Sequence, residues 1–180
     1  MSQKSKQIAV GGVFSALCVT IMCVVGLLPI GAYTLAMTAG VMLLPVLVEL
    51  GSKPAAMAYI TTSVLSLLLA PNRESAIMFA AFFGYYPIAK HLLERFSNRG
   101  LEYTCKIALF NASAIIGLLI TVHLLGMAQA LEGLSELGSP LPLIVTGMVV
   151  GNVLFIVYDF MLTRLYITYL QQLRPKIIRR

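Results

Sequence analysis

The side chains of this sequence that could do chemistry are the few polar and charged groups within or beside long apolar runs. An unpaired polar group in lipid is costly, so such groups are expected to pair or to serve a function. One set falls where the runs should meet the outside of a membrane, and it predicts a pocket for a small molecule. Its members are Tyr33, Asn72, Arg73, Glu74, Phe79, His123 and Asn152.

Within this set Arg73 is the one cation expected on the outer side, so it could meet an anionic group of the small molecule. The alternative is an exposed ion pair with Glu74, Glu132 or Glu136, which would contribute little. Tyr33 and Phe79 could provide flat apolar walls. Aromatic residues of membrane helices also face lipid or the core, which leaves the role of Phe79 open.

A second polar set is expected at cytoplasmic depth and comprises Tyr85, Tyr86, Asn111 and Asp159. Asp159 is the one carboxylate placed deep in an apolar run. It could form a hydrogen-bonded knot with Asn111 or a tyrosine, or pair with Arg164. A proton or cation role for Asp159 is the alternative.

Signals for catalysis and for metal binding are scarce. The motifs of zinc proteases, serine hydrolases and phosphate-binding loops do not occur. The two histidines have no second ligand at a suitable spacing, and the three cysteines lack a C-x-x-C pair. We therefore expect neither enzymatic activity nor a metal or other cofactor.

The elements that must position these side chains are membrane helices, because 59% of the 180 residues are hydrophobic and 11% are charged. A helix needs roughly 20 apolar residues to cross a bilayer. The pattern predicts an all-α integral membrane protein with one domain, residues 1–180, built as a six-transmembrane-helix bundle. The predicted spans are Ile8–Leu28, Tyr33–Leu50, Ala55–Ala70, Ser75–Leu93, Tyr103–Met127 and Leu141–Thr168.

The distribution of lysine and arginine predicts the orientation of the bundle. With the N-terminus in the cytoplasm, Arg73 alone of the 13 basic residues lies outside. The positive-inside rule then places both termini in the cytoplasm. The net charge of +6 is explained by topology, so no nucleic acid is expected as a partner. The basic run from Arg174 to Arg180 is expected to bind anionic lipid headgroups.

The first span carries two rows of small residues, spaced by three or four so that each row follows one side of a helix. Small residues let helix backbones approach closely in lipid. Either row could pack inside the protein or against another subunit. The first row is Ala9, Gly12, Ala16, Thr20 and Cys23, and the second is Gly11, Ser15, Cys18, Met22 and Gly26.

Two features of the sequence predict where the apolar helices are kinked or end. Pro45 in the second span frees a backbone carbonyl and predicts a kink. The stretch from Glu94 to Glu102 is predicted to be a charged loop.

The first helix, with Ile8-Ala9-Val10-Gly11-Gly12-Val13-Phe14-Ser15-Ala16-Leu17, and the passage from Leu43 to Ala56 resemble the S components of energy-coupling factor (ECF) vitamin transporters. The resemblance implies a protein of the bacterial cytoplasmic membrane that captures a vitamin or related micronutrient near the external face. It also implies docking on a shared transmembrane coupling subunit with two ATPases, followed by toppling to release the cargo.

The family's small-residue docking surface on the first helix corresponds here to Ala9, Gly12 and Ala16, with glycine replacing the first alanine of the Ala-x-x-x-Ala pair. Glu49 departs from the family's apolar ending of the second span. No residue pattern identifies a particular vitamin.

Other functions compete with solute capture. A non-transporting scaffold of the cell envelope, of the shape-determining type, has the same size and number of spans and needs no pocket. A small proton-coupled transporter could use Asp159 as its proton carrier, although inverted repeats are not detectable. A membrane enzyme is disfavoured because paired catalytic groups are missing.

Overall fold

The structure, a computed structural model, describes residues 3–24, 31–96, 98–124 and 141–173. These ranges are almost entirely helical. The chain divides into two compact units, Met1–Lys106 and Ile107–Arg180, which are described one after the other.

The first unit contains α1 (Gln3–Val24), α2 (Ala32–Val41), α3 (Leu44–Leu50), α4 (Ser52–Leu69), α5 (Arg73–Met78), a π-helical segment (Phe79–Phe83), α6 (Tyr86–Leu93) and the start of α7 (Arg99–Leu124). Helix α1 packs mainly on α4 and α2, and α2 also contacts the π-helical segment. The buried core of this unit therefore lies among α1, α2, α4 and the stretch from α5 to α6.

The predicted second span is broken in two, and this confirms the predicted effect of Pro45. Helix α2 ends at Val41, and α3 begins at Leu44 with Pro45 in its first turn. Proline fits there because the first helical N–H groups have no partner within the helix. Gly51 then separates α3 from α4 with a φ of 90°, a conformation that glycine adopts readily.

The predicted fourth span is also interrupted. Asn72 accepts a hydrogen bond from the Ser75 N–H at 3.0 Å and so caps the start of α5. After α5, the π-helical segment Phe79–Phe83 closes with a bond from the Gly84 N–H to the Phe79 carbonyl, 2.8 Å long. The extra residue in such a turn rotates the side chains that follow it.

The predicted charged loop from Glu94 to Glu102 is too long, because α7 already begins at Arg99. Glu102 accordingly lies in the first turn of α7, one helical turn before Lys106. The early start is capped by Asn98, whose Oδ1 accepts a hydrogen bond from the Gly100 N–H at 3.0 Å. Glu102 and Lys106 also form an i, i+4 ion pair within the helix.

The second unit contains the rest of α7, α8 (Leu141–Thr168) and a π-helical segment (Tyr169–Leu173). The rings of Phe110 on α7 and Phe155 on α8 stack with 4.8 Å between centroids and 11° between planes. One turn away, the Phe110 ring lies against the backbone of Gly151. Aromatic and glycine contacts therefore join these two helices.

Five stretches of the described residues are helical, long and apolar enough to cross a membrane. They are Gln7–Val24, Tyr33–Leu50, Arg73–Leu93, Arg99–His123 and Val145–Gln172. The predicted span Ala55–Ala70 corresponds to α4, which forms a helix but is not among these five. The regular structure of the described residues is thus all helical and compatible with a multi-pass membrane protein, while the six-span count and the orientation stay predictions.

Candidate functional site

The structure brings together four residues of the predicted outer pocket. The Tyr33 hydroxyl at the start of α2 donates a hydrogen bond to the Glu74 carboxylate at the start of α5. Asn72 caps this same helix, and its carbonyl accepts a bond from the Ser75 hydroxyl at 2.9 Å. Arg73 lies between Asn72 and Glu74 and is exposed.

This outer cluster, defined as Tyr33, Asn72, Arg73 and Glu74, offers a guanidinium, a carboxylate, an amide and a phenol within one small region. Such groups can recognise a polar solute by hydrogen bonds and charge. A serine, threonine or cysteine nucleophile hydrogen-bonded to a base is not among these four side chains. In the structure the Glu74 carboxylate accepts a hydrogen bond from Tyr33. Glu132 and Glu136, the other partners considered for Arg73, lie outside the described residues.

Phe79 lies away from solvent, with none of its surface exposed. Its ring centroid is 6.4 Å from that of Tyr59 on α4, and the Tyr59 hydroxyl donates to the Ala80 carbonyl at 2.6 Å. A methyl group built on Gly84 would approach the Phe79 ring to 2.8 Å. The structure therefore makes Phe79 part of a closed aromatic core, and its predicted contact with a small molecule stays untested.

The other two predicted pocket residues, His123 and Asn152, belong to the second unit. His123 is exposed at the end of α7. The side-chain amides of Asn111 and Asn152 pair with each other: Asn152 donates to Asn111 Oδ1 at 3.0 Å, and Asn111 donates to Asn152 Oδ1 at 3.1 Å. Asn152 also donates to the Met148 carbonyl of its own helix at 2.8 Å. The assignment of Asn111 and Asn152 to different depths is therefore wrong, because the two amides satisfy each other.

The two small-residue rows of α1 have different environments. In the second row Ser15 and Cys18 are buried, and they donate to the carbonyls of Ala58 on α4 and Ala39 on α2, at 3.3 and 3.2 Å. In the first row Ala9, Gly12 and Ala16 are exposed. The described residues therefore leave Ala9, Gly12 and Ala16 exposed, whereas they cover Ser15 and Cys18.

A groove of about 500 Å³ runs along the boundary between the N-terminal halves of α1 and α4. Gly11 and Gly12 line it, and a methyl group built on either glycine meets nothing within 4 Å. The spacing of small residues in the sequence indicated close packing at Gly11, so the groove was not predicted. The groove is lined by Gln7, Ile8, Gly11, Gly12, Ser15, Pro54, Met57, Ala58 and Thr61.

Sequence reasoning also missed a charged network between α6 and α7. Lys106 Nζ lies 2.6 Å from a Glu102 oxygen and 3.3 Å from a Glu94 oxygen, and Lys90 Nζ lies 3.0 Å from the same Glu94 oxygen. Both lysine side chains are almost completely buried, whereas Glu94 is partly exposed. The i, i+4 spacing of Lys90 with Glu94, and of Glu102 with Lys106, was the available signal.

Among the described residues, no group of three histidine, cysteine, aspartate or glutamate side chains could hold a metal ion. Cys18, Cys23 and Cys105 are free thiols. Comparison of the chain with protein-family models, with curated proteins and with solved structures finds no match to any of them.

Proposed function

We propose that the protein is a substrate-capture subunit of the S-component type, in which six helices cross the bacterial cytoplasmic membrane with both ends in the cytoplasm. Its exposed row on α1, Ala9, Gly12 and Ala16, would dock on a transmembrane coupling subunit that works with two ATPases. The observation that carries the proposal is the difference between the rows, because the second row already supplies the packing of α1 on α2 and α4. The first row is therefore available to a partner.

The low polarity of the exposed row agrees with a surface that meets another apolar helix. Thr20 continues the row, and its hydroxyl donates to the Ala16 carbonyl of its own helix at 2.9 Å. The row thus presents no unsatisfied donor to a partner. A surface of small residues without a free polar group suits the repeated docking and release that an S component needs.

The outer cluster supports capture of a small polar solute. In the six-span topology, Tyr33, Asn72, Arg73 and Glu74 lie near the external face, and Arg73 is exposed, as a contact with an anionic group of the solute requires. A vitamin or related micronutrient is the expected class. His123 and Asn152 would join this site only if the second unit faces the same space.

The direct test is assembly and transport with an energy-coupling module of the source bacterium, purified as its coupling subunit and two ATPases. The wild-type chain should co-purify with this module in a defined ratio, and Ala16→Leu should lose at least tenfold in assembled complex. Val13→Leu is the matched control, because Val13 is exposed on α1 but lies outside the row. Equal assembly of wild type and Ala16→Leu would contradict docking through this row.

A second candidate, a non-transporting scaffold of the cell envelope, is favoured by one specific observation. Tyr33 and Glu74 bind each other, and Phe79 is buried, so several predicted pocket residues already have partners within the chain. Mass spectrometry of small molecules released from the purified protein separates the two functions. A stoichiometric bound micronutrient, reduced by Arg73→Ala, supports capture, whereas a protein free of any solute supports the scaffold.

A further inference from the structure

We propose that Thr62 and Ser66 of α4 form an inner, uncharged part of the solute site and bind a hydroxyl, amide or ring-nitrogen group of the captured molecule below the outer cluster. This inference rests on the proposed capture function and deepens it, because it names a chemical group that the solute needs besides an anionic one. It depends on two buried hydroxyls, on the row of α4 that carries them, and on the distance of that row from the outer cluster.

The two hydroxyls differ from most others in the helices of this chain. Thr62 and Ser66 are 0% exposed, and their hydroxyl oxygens find no hydrogen-bond partner among the described residues. Elsewhere such a hydroxyl donates to the carbonyl four residues earlier in its own helix, as those of Thr20, Thr61 and Thr163 do. Because a buried hydroxyl without a partner is costly, groups of this kind usually bond to water or to a ligand.

The packing of α1 explains why Thr62 lacks its usual acceptor. The Ala58 carbonyl, four residues before Thr62, accepts a hydrogen bond from the Ser15 hydroxyl of α1 at 3.3 Å. A spacing of four places Ala58, Thr62 and Ser66 in one row along α4, and Ala58 is buried as well. The row therefore lies inside the first unit, and its two hydroxyls are turned away from lipid.

The hydroxyl row begins one helical turn below the outer cluster. Helix α4 ends at Leu69, and the Ala70 N–H donates to the Ser66 carbonyl at 2.9 Å. Asn72, which caps α5, follows two residues after Ala70. Thr62 lies one turn deeper than Ser66, a distance of about 6 Å at 1.5 Å per residue. The two hydroxyls thus continue the polar groups of the outer cluster toward the middle of α4.

The chemistry of the row selects a neutral group. The segment from Pro54 to Asn72 contains no charged residue, and burying a charge without a partner costs far more than burying a neutral polar group. Each hydroxyl can both donate and accept a hydrogen bond, which suits a hydroxyl, an amide or a ring nitrogen. Arg73, by contrast, suits an anionic group. A solute with an acidic end and a neutral polar end therefore matches both parts of the site.

Access to the row requires movement at the outer cluster. Both oxygens are covered in the structure, so a solute reaches them only when the helices packed on α4 part. The hydrogen bond from Tyr33 to Glu74 joins the start of α2 to the start of α5. Tyr33 is 44% exposed, so water can compete for this bond. We expect binding to begin with the opening of this contact.

The test uses native mass spectrometry of the full chain, purified in detergent from cells grown in rich medium, and the signal is any small-molecule mass that the chain retains. We expect the wild type to retain one such molecule. Thr62→Val keeps the shape of the side chain and removes its hydroxyl, and we expect the retained fraction to fall about fivefold or more. Ser66→Ala should have the same effect, so the test does not depend on the folding of one variant.

Thr61→Val is the matched control. Thr61 is the neighbour of Thr62, but it is exposed and its hydroxyl donates to the Met57 carbonyl of its own helix at 3.0 Å. This variant should retain the same fraction as the wild type. Thermal unfolding after dialysis of bound molecules gives a second measurement. Thr62→Val and Ser66→Ala should unfold no earlier than Thr61→Val, because a hydroxyl without a partner in the chain contributes nothing to stability.

Three results would overturn the inference, and they separate it from the capture function. If Arg73→Ala lowers the retained mass while Thr62→Val and Ser66→Ala do not, capture stands and the two hydroxyls bond to water alone. If the wild type retains no molecule, capture and the inner site are both wrong. If Thr62→Val and Ser66→Ala unfold earlier than Thr61→Val, the hydroxyls stabilise the fold through a partner within the chain.

Discussion

Two glycine-containing regions of the first unit differ in what lies beside the missing side chain. At Gly11 and Gly12 of α1, an added methyl group meets nothing within 4 Å. At Gly84, after the π-helical segment, it would come within 2.6 Å of the Tyr59 ring and 2.8 Å of the Phe79 ring. The first region is open, and the second is filled by the chain's own aromatic side chains.

The difference teaches that glycine in an apolar helix has two distinct uses. Gly84 lets two aromatic rings approach the backbone, which is the role of small residues in packing within a membrane protein. Gly11 and Gly12 instead create space that the described chain does not occupy. Space of this kind adds no packing contact within the described chain.

The same substitution in both regions gives the largest expected effect. Gly84→Leu forces a side chain into the rings of Tyr59 and Phe79, and overpacking of this kind should destabilise the protein by about 3 kcal/mol or more. Gly12→Leu should change the free energy of unfolding by less than about 1 kcal/mol, because leucine has room and a better helix propensity than glycine. Thermal unfolding in detergent measures both variants.

Either of two outcomes would break the contrast between the regions. If Gly84→Leu unfolds at the wild-type temperature, the aromatic core around the π-helical segment is not closed. If Gly12→Leu unfolds as early as Gly84→Leu, the space at Gly12 is filled within the folded protein.

A smaller but still large loss of stability is expected at the charged network between α6 and α7, whose two lysine side chains are buried in the first unit. Lys106→Met leaves Glu102 without its partner at 2.6 Å, and breaking a buried ion pair typically costs about 3 kcal/mol or more. Because Glu94 is partly exposed and water can reach it, we expect about 2 kcal/mol for this variant. Denaturation of the reconstituted protein gives the value.

The control for Lys106→Met is Lys53→Met, which removes an exposed lysine at the open region and should change stability by less than about 0.5 kcal/mol. If the double variant Lys106→Met with Glu102→Gln is no more stable than Lys106→Met alone, the pair does not anchor α7. Recovery of stability in the double variant identifies the unpaired carboxylate as the cause.

Much of the helical architecture was predictable because apolar runs and proline act locally. The break at Pro45 followed from its missing N–H, and helices were expected in all the described runs. The rows of α1 were visible as spacings, but which row is buried depends on α2 and α4, whose placement no local pattern encodes. For the same reason the sequence suggested a pocket wall at Phe79, where tertiary contacts make a closed core.

The polar contacts were predictable only in part, because they join residues far apart in the chain. Asn111 and Asn152 are 41 positions apart, and depth counted from predicted helix ends separated them. Tyr33 and Glu74 are also 41 positions apart, yet both were assigned to the outer pocket since each lies near an outer end of a predicted span. Turn residues are thus better placed by sequence than residues in the middle of long helices.

The smallest expected effect tests whether the outer cluster belongs with the filled regions or the open ones. Tyr33→Phe removes the hydroxyl that donates to Glu74, and because Tyr33 is 44% exposed we expect a loss of only about 0.5 kcal/mol of stability. Tyr103→Phe, at an exposed tyrosine of α7, is the control. If the cluster binds solute, Tyr33→Phe should change the amount of co-purified small molecule severalfold, since it frees the Glu74 carboxylate at the site. A change in stability above about 2 kcal/mol with unaltered solute content would instead make the Tyr33–Glu74 contact part of the filled core.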